Sequence, residues 1–229
     1  MTPPDRPSSA GDRTKILIVD DHPVVREGLA RRIDRQGDMA VCGEAETAAE
    51  ALKAVAALRP DLVVVDLTLK DKSGLELIKD LRLRHPEIPV LVLSMHDETL
   101  YAERALRAGA RGYIMKQEAA DHIIGAIRRV LGGEVYLSDR MASRLLGTFV
   151  GGRAKDVSRS PADRLSDREL EVFEMVGTGL GTREIAERLH VSVKTVEAYR
   201  ANIKQKLHLR TATELAHHAF QWVQDQMGT

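Results

Sequence analysis

The chain has 229 residues, with 34 Lys+Arg balanced by 34 Asp+Glu, a length that suits one large domain or, more naturally here, two of roughly 100 to 150 residues. Neutral charge excludes a chain-wide attraction to polyanions, so any nucleic-acid surface has to be local. A single cysteine, Cys42, excludes an internal disulfide and a Cys-built zinc site and fits a reducing, cytoplasmic compartment.

Met1 to Arg13 holds three prolines and two adjacent serines, so residues 1–13 read as a flexible tail. A signal peptide would need an apolar core of about 7 to 15 residues. No apolar run approaches the ~20 residues that span a bilayer, so a soluble chain without a membrane partner is expected.

From residue 14 to 133, short apolar runs alternate with helix-length amphipathic segments. Strands are expected at Ile16 to Asp20, Met39 to Glu44, Leu62 to Asp66, Val90 to Ser94 and Gly112 to Ile114. Helices are expected near Pro23 to Arg35, Thr47 to Leu58, Gly74 to Arg84, Glu98 to Ala108 and Ala119 to Leu131. Five such alternations give an α/β doubly wound, five-stranded parallel sheet. Residues 134–163 read as a linker with one helix, from Ser138 as N-cap to Leu146, followed by turn formers from Gly151 to Pro161.

Residues 164–229 offer no strand, so a second, smaller all-α unit is expected. Ser166 and Glu169 have capping-box spacing for its first helix, which ends at Gly177 to Gly181. A short helix over Thr182 to Leu189, a turn at His190-Val191 and a helix from Ser192 to about Leu207 follow, then a last helix from Thr211 to about Gln224. Helix, short turn, helix is the organisation of a DNA-binding helix-turn-helix.

Asp66 ends the run Leu62-Val63-Val64-Val65, and Asp20-Asp21 end Ile16-Leu17-Ile18-Val19. Such runs are strands buried on both faces, and in open α/β sheets ligands bind at the carboxyl ends of the strands. Three carboxylates converging there need a cation between them, and an all-oxygen set suits Mg2+. Ser94 and Lys116 end the fourth and fifth strands at the same edge. Around a phosphoryl group on Asp66 they would donate a hydroxyl and an ammonium, which is the charge neutralisation that phosphoryl transfer demands.

Asp20-Asp21, Asp66, Ser94 and Lys116, with Tyr113 three before the lysine, resemble the receiver domain of two-component response regulators, a flavodoxin-like fold. The resemblance implies that Asp66 accepts phosphoryl from a sensor histidine kinase. It implies too that Asp21, Asp66 and the backbone carbonyl of Thr68 ligate Mg2+ directly, with Asp20 acting through water. Ser94 and Tyr113 would be a switch pair that moves toward the phosphate. Two positions depart from the pattern: Lys70 stands where a proline is common, and Met95 stands where a small residue commonly follows the switch serine. The bulk of Met95 is expected to hinder attacking water and prolong the phosphorylated state.

In the second unit, Lys194, Arg200, Lys204, Lys206 and Arg210 face one acid, Glu197, which makes a local basic patch. With Val196 set in the core at 100° per residue, Ile203 and Leu207 join it, and Lys194, Glu197, Ala198, Ala201, Lys204 and Gln205 face outward. Small alanines between long polar side chains suit a major groove. Arg200 falls at the edge of the core face, where it is expected to anchor the helix, with Glu169 as a candidate partner, or to touch phosphate. Leu165-Ser166-Asp167-Arg168-Glu169, Glu184-Ile185-Ala186 and Val191 to Leu207 resemble the LuxR-type helix-turn-helix, with Tyr199 in place of a common histidine and Gly181-Thr182 in place of a common Ser-Asn pair. The DNA-contacting set so implied is Lys194, Thr195, Glu197, Ala198, Tyr199, Arg200, Ala201, Lys204 and Gln205.

A receiver followed by this domain is the NarL/FixJ arrangement. It implies a phosphorylation-dependent transcription regulator that is not itself an enzyme, with a sensor histidine kinase and double-stranded DNA as partners. A homodimer on phosphorylation or DNA binding is expected as well, and RNA polymerase as a further partner. The last helix, with Leu215, Ala216, Ala219 and Trp222, reads equally as a dimer contact and as packing on its own unit. The rival that keeps the fold is an atypical receiver that binds DNA without phosphorylation. A phosphatase of the haloacid dehalogenase kind would want an acid where Thr68 stands. A ligand-sensing LuxR-type protein would need an aromatic-lined pocket, and aromatics make up 3% of this chain.

Overall fold

The computed structural model describes residues 13–150 and 164–227, so the tail expected over residues 1–12 and the turn-rich stretch over 151–163 lie outside the described residues. The chain forms two compact units, Met1–Ala142 and Ser143–Thr229.

In the first unit, β1 (Thr14–Val19), β2 (Met39–Ala45), β3 (Leu62–Val65), β4 (Val90–Ser94) and β5 (Gly112–Met115) alternate with α1 (Pro23–Asp34), α2 (Ala48–Leu58), α3 (Gly74–Arg84), α4 (Glu98–Ala108) and α5 (Ala119–Leu131). The strands pair in parallel in the order β2-β1-β3-β4-β5. Apolar runs make this arrangement possible: Ile16 to Val19 and Leu62 to Val65 are at most 1% exposed, and each such burial stabilises by roughly 1.5 to 3 kcal/mol. Helix starts are fixed by side chains, with Thr47, Ser73 and Asp97 accepting from the backbone N–H of Glu50, Leu75 and Thr99.

The order reverses at β1 and β3, which opens a crevice at their carboxyl ends. Both strands stop one residue earlier than the apolar runs suggested. Asp20 and Asp66 lie just past them, each still held by its backbone N–H, to Ala45 O at 3.1 Å and to Val19 O at 2.8 Å. Leaving the strand there lets both carboxylates face the crevice.

Beyond Gly133 the chain does not leave the sheet. Tyr136 bridges to Gly112 and lies along the outer edge of β5: Tyr113 N donates to Tyr136 O and Tyr136 N to Arg111 O, both at 2.9 Å. Ser138 then caps α6 (Asp139–Val150), accepting from Met141 N, while its own hydroxyl donates to Glu98 Oε1 at 2.6 Å. Residues 134–142, expected in the linker, thus belong to the first unit, and the linker helix runs on to Val150 where Leu146 was expected to end it.

The second unit contains α7 (Asp167–Gly177), α8 (Thr182–Arg188), α9 (Val193–Leu207) and α10 (Ala212–Met227). Ser166 N donates to Glu169 Oε2, completing the expected capping box. The turn between α8 and α9 is made by His190 in the left-handed region at φ 53°. α10 packs across α7: Leu215, Ala219 and Trp222 are buried, with the Phe173 and Trp222 rings 5.5 Å apart. Of the four residues read equally as dimer contact or internal packing, three therefore pack within the unit, leaving Ala216 exposed beside Phe220.

Candidate functional site

Asp20, Asp21 and Asp66 meet at the β1/β3 crevice, 1%, 8% and 3% exposed. Lys116, delivered by the end of β5, sets its Nζ 2.7 Å from both Asp20 Oδ2 and Asp66 Oδ2. One ammonium among three buried carboxylates leaves excess negative charge. Burial therefore pushes the Asp66 carboxyl up to about 6; Lys116 opposes that rise and Asp20 adds to it. Burial pulls the Lys116 ammonium down, but Asp66 and Asp20 more than offset it and hold it above the ordinary lysine range. The donor set fits a hard divalent cation such as Mg2+, since clustered, buried carboxylate oxygens are what such an ion replaces water with.

The ends of β4 and β5 supply the other expected groups. Ser94 is fully buried and its Oγ accepts from His96 N at 3.2 Å, which leaves the hydroxyl proton for another acceptor. Tyr113 is expected to move toward the phosphate after phosphoryl transfer. It is already 1% exposed, its hydroxyl donating to His96 O at 2.8 Å. Thr68 lies in the loop after β3, its N–H bonded to the Asp66 carboxylate and its Oγ1 3.1 Å from His96 Nε2. Met95 is 60% exposed beside Ser94.

Several residues that sequence reasoning passed over, together with Lys70, hold this site together. His96 touches Thr68, Ser94 and Tyr113 and stacks on Tyr101 with ring centroids 4.5 Å apart. Lys70, in place of the proline, pairs with Glu46, and Glu46 also accepts from Arg26 at 2.8 Å. Arg26 in turn donates to the Asp20 carbonyl at 2.6 Å. Asp71 accepts from the Ala48 and Ala49 N–H groups at the start of α2. The loop after Asp66 is thus pinned to the β2–α2 turn by charge where a proline ring would have stiffened it. Their side chains carry no periodic signal, and the contacts from His96 to Thr68, Lys70 to Glu46 and Asp71 to the start of α2 join residues more than 20 apart, so no local pattern could reveal them.

In the second unit, Val196 and Ile203 are fully buried, while Lys194, Glu197, Ala198, Ala201 and Gln205 are exposed as expected. Thr195, Tyr199, Arg200 and Lys204 are half-buried at the margins of that face. The expected Arg200 to Glu169 pair does not form: Glu169 is taken by Lys206 Nζ at 2.5 Å. Position explains it, because Lys206 lies near the C-terminal end of α9, where it meets the start of α7. The basic patch loses one of its five charges to that internal pair.

Residues 16–128 match the family model described as "Response regulator receiver domain", and residues 163–219 match "Bacterial regulatory proteins, luxR family". The chain is 38% identical over 208 residues to "Oxygen regulatory protein NreC" of Staphylococcus carnosus (strain TM300), covering 90% of this chain and 96% of that protein. The same figures hold for NreC of Staphylococcus aureus (strain JH9). Among solved structures, a LuxR-family two-component response regulator from Aurantimonas sp. SI85-9A1 is 35% identical, covering 61% of this chain and 99% of that one with a TM-score of 0.56. RcsB of Salmonella enterica serovar Typhimurium, solved on promoter P1flhDC in the presence of the phosphomimetic BeF3-, is 26% identical, covering 91% of this chain and 98% of that one with a TM-score of 0.59. A receiver sheet and a LuxR-type helical unit in one chain, matched over 90% of its length by the NreC proteins, make this protein a two-component response regulator of the NarL/FixJ family.

Proposed function

We propose that this response regulator is phosphorylated on Asp66 by a sensor histidine kinase in the cytoplasm, and that phosphorylation controls its binding to promoter DNA. Asp66 attacks the phosphorus of the kinase's phosphohistidine; the new bond is O–P, the bond broken is P–N, and the imidazole leaves and takes up a proton. Asp21, Asp66 and the Thr68 carbonyl would hold Mg2+, with Asp20 acting through water, and the bound ion would supply charge neutralisation to the transferring group. Lys116 releases Asp66 to pair with the phosphoryl oxygens, and Ser94 donates its hydroxyl to another. The observation that carries this reading is the buried Asp20, Asp21, Asp66 cluster spanned by Lys116.

The DNA surface is the outward face of α9, with Lys194, Glu197, Ala201 and Gln205 toward base edges and Thr195, Tyr199, Arg200 and Lys204 toward phosphates. RcsB, solved on promoter DNA with a phosphomimetic, supports the link between the two units. Two copies would present two such helices to half-sites about one helical turn apart, with RNA polymerase as the downstream partner.

One observation favours a second reading, a regulator that binds DNA without phosphorylation: Tyr113 is already turned inward. Both are tested together. Wild type incubated with a small phosphodonor and Mg2+ gains one phosphoryl mass, Asp66→Asn gains none, and DNA affinity rises with the donor in wild type alone. Equal affinity in all arms would establish the second reading.

A further inference from the structure

Ser138 serves two partners with one hydroxyl. Its Oγ accepts from Met141 N at 3.1 Å and so caps α6, while its proton goes to Glu98 Oε1 at 2.6 Å. Ala142 N donates to the Ser138 carbonyl at 2.9 Å, closing the first turn of that helix. Glu98 is the first residue of α4, and β4 ends at Ser94, so a short link of residues 95–97 joins it to the switch serine.

Two routes connect residues 96–98 with residues 136–138. One passes through β5: the Tyr113 hydroxyl donates to His96 O at 2.8 Å, and Tyr113 N donates to Tyr136 O at 2.9 Å. Tyr113 is paired with Val92 inside the sheet, so this route is rigid. The other is the Glu98 to Ser138 bond, made between two half-buried side chains. Water can reach both groups, so parting them leaves no polar atom unsatisfied, as it would in the core.

Ser94 supplies the movement. Its Oγ accepts from His96 N at 3.2 Å. Turning the Ser94 hydroxyl toward a phosphoryl oxygen on Asp66 displaces that acceptor, and the shift passes through His96 to Asp97, whose carboxylate caps α4 by accepting from Thr99 N at 2.8 Å. Glu98 follows its helix. A bond of 2.6 Å stretched by about 1 Å is no longer a hydrogen bond.

We propose that the Glu98 to Ser138 bond is a latch released by phosphorylation: it holds the first turn of α6 to α4 while Lys116 holds Asp66, and it parts when Ser94 turns to the phosphoryl group. Release frees the start of the helix that leads into the second unit. The inference rests on Asp66 being the phosphoacceptor. The blander arrangement is permanent docking, in which breaking the bond costs stability and phosphorylation leaves α6 unchanged.

The test uses the full chain. Ser138→Asp keeps the cap for Met141 N but has no proton for Glu98, and Glu98→Ala removes the acceptor from the other side. Ser138→Asn restores both roles, since its amide can accept from Met141 N and donate to Glu98. Circular dichroism melts establish that each variant folds. Amide exchange at Met141 and Ala142 is followed by NMR in Mg2+, with and without acetyl phosphate, and intact mass reports the phosphoryl group. Wild type and Ser138→Asn are expected to exchange at least about fivefold faster with the donor, while Ser138→Asp and Glu98→Ala exchange fast in both conditions. Asp66→Asn is expected to stay slow throughout. Unchanged exchange in wild type that has gained the phosphoryl mass, or a donor response that persists in Ser138→Asp and Glu98→Ala, overturns the latch. No mass gain in wild type overturns the phosphoacceptor reading beneath it.

Discussion

Gly74 shows how tightly single positions are set around Asp66. A Cβ built on it would lie 2.1 Å from the Asp66 carbonyl oxygen and 2.6 Å from Leu67 Cα, while its N–H donates to Leu67 O at 2.7 Å. No flexible side chain is there to yield, so a methyl has to push the phosphoacceptor backbone away. Gly74→Ala is expected to destabilise the first unit by about 1 to 3 kcal/mol, the usual range for overpacking, and to slow phosphorylation, read by melting and by the rate of mass gain. Met95 carries a different expectation. Its exposed side chain stands next to Ser94, and Met95→Ala is expected to shorten the life of the phosphorylated state; an unchanged decay rate in radiolabelled protein would refute the shielding role. At this scale the carboxylates, Ser94 and Lys116 were legible because each lies at or just past the end of a strand whose apolar run is visible, whereas Tyr113, inside β5, was named only through the family resemblance. His96 was not legible, since its contacts to Thr68, Ser94 and Tyr113 depend on how two loops meet.

Between elements, the Lys206 to Glu169 pair joins α9 to the cap of α7. Burial pushes the Glu169 carboxyl up, but Lys206 and the Ser166 N–H more than offset that and hold it below the ordinary carboxylate range. A depressed folded pKa means stability that is present above the unfolded value of about 4.5 and lost as pH falls below it. Lys206→Met is therefore expected to cost about 1 kcal/mol near neutrality, modest because Lys206 is partly exposed, and the gap from wild type should close under strong acid. Trp222, the chain's one tryptophan, lies on α10 against Phe173, so its fluorescence reports unfolding of this unit by itself. Helix periodicity placed Val196 and Ile203 in the core and Glu197, Ala201 and Gln205 outside, because 100° per residue decides faces. It could not decide between Arg200 and Lys206 as the partner of Glu169, because that choice depends on where α7 crosses α9.

Across the whole molecule, strand and helix alternation disclosed the five-stranded parallel sheet, and the shift to an all-helical pattern disclosed the second unit. What the alternation could not show is the stretch after Gly133, where two glycines read as an ending. Tyr136 nevertheless pairs with the outer edge of β5, and Ser138 ties to Glu98 on α4. An isolated receiver cut at Gly133 would expose the backbone groups of Arg111 and Tyr113 as an open sheet edge, which is a template for pairing with another chain. Fragments ending at 133 are expected to self-associate with rising concentration in light scattering, and fragments ending at 142 to stay monodisperse. Tyr136 is thus a seal against aggregation as much as the start of a tether, and the same few residues that lead out of the receiver keep it from being sticky.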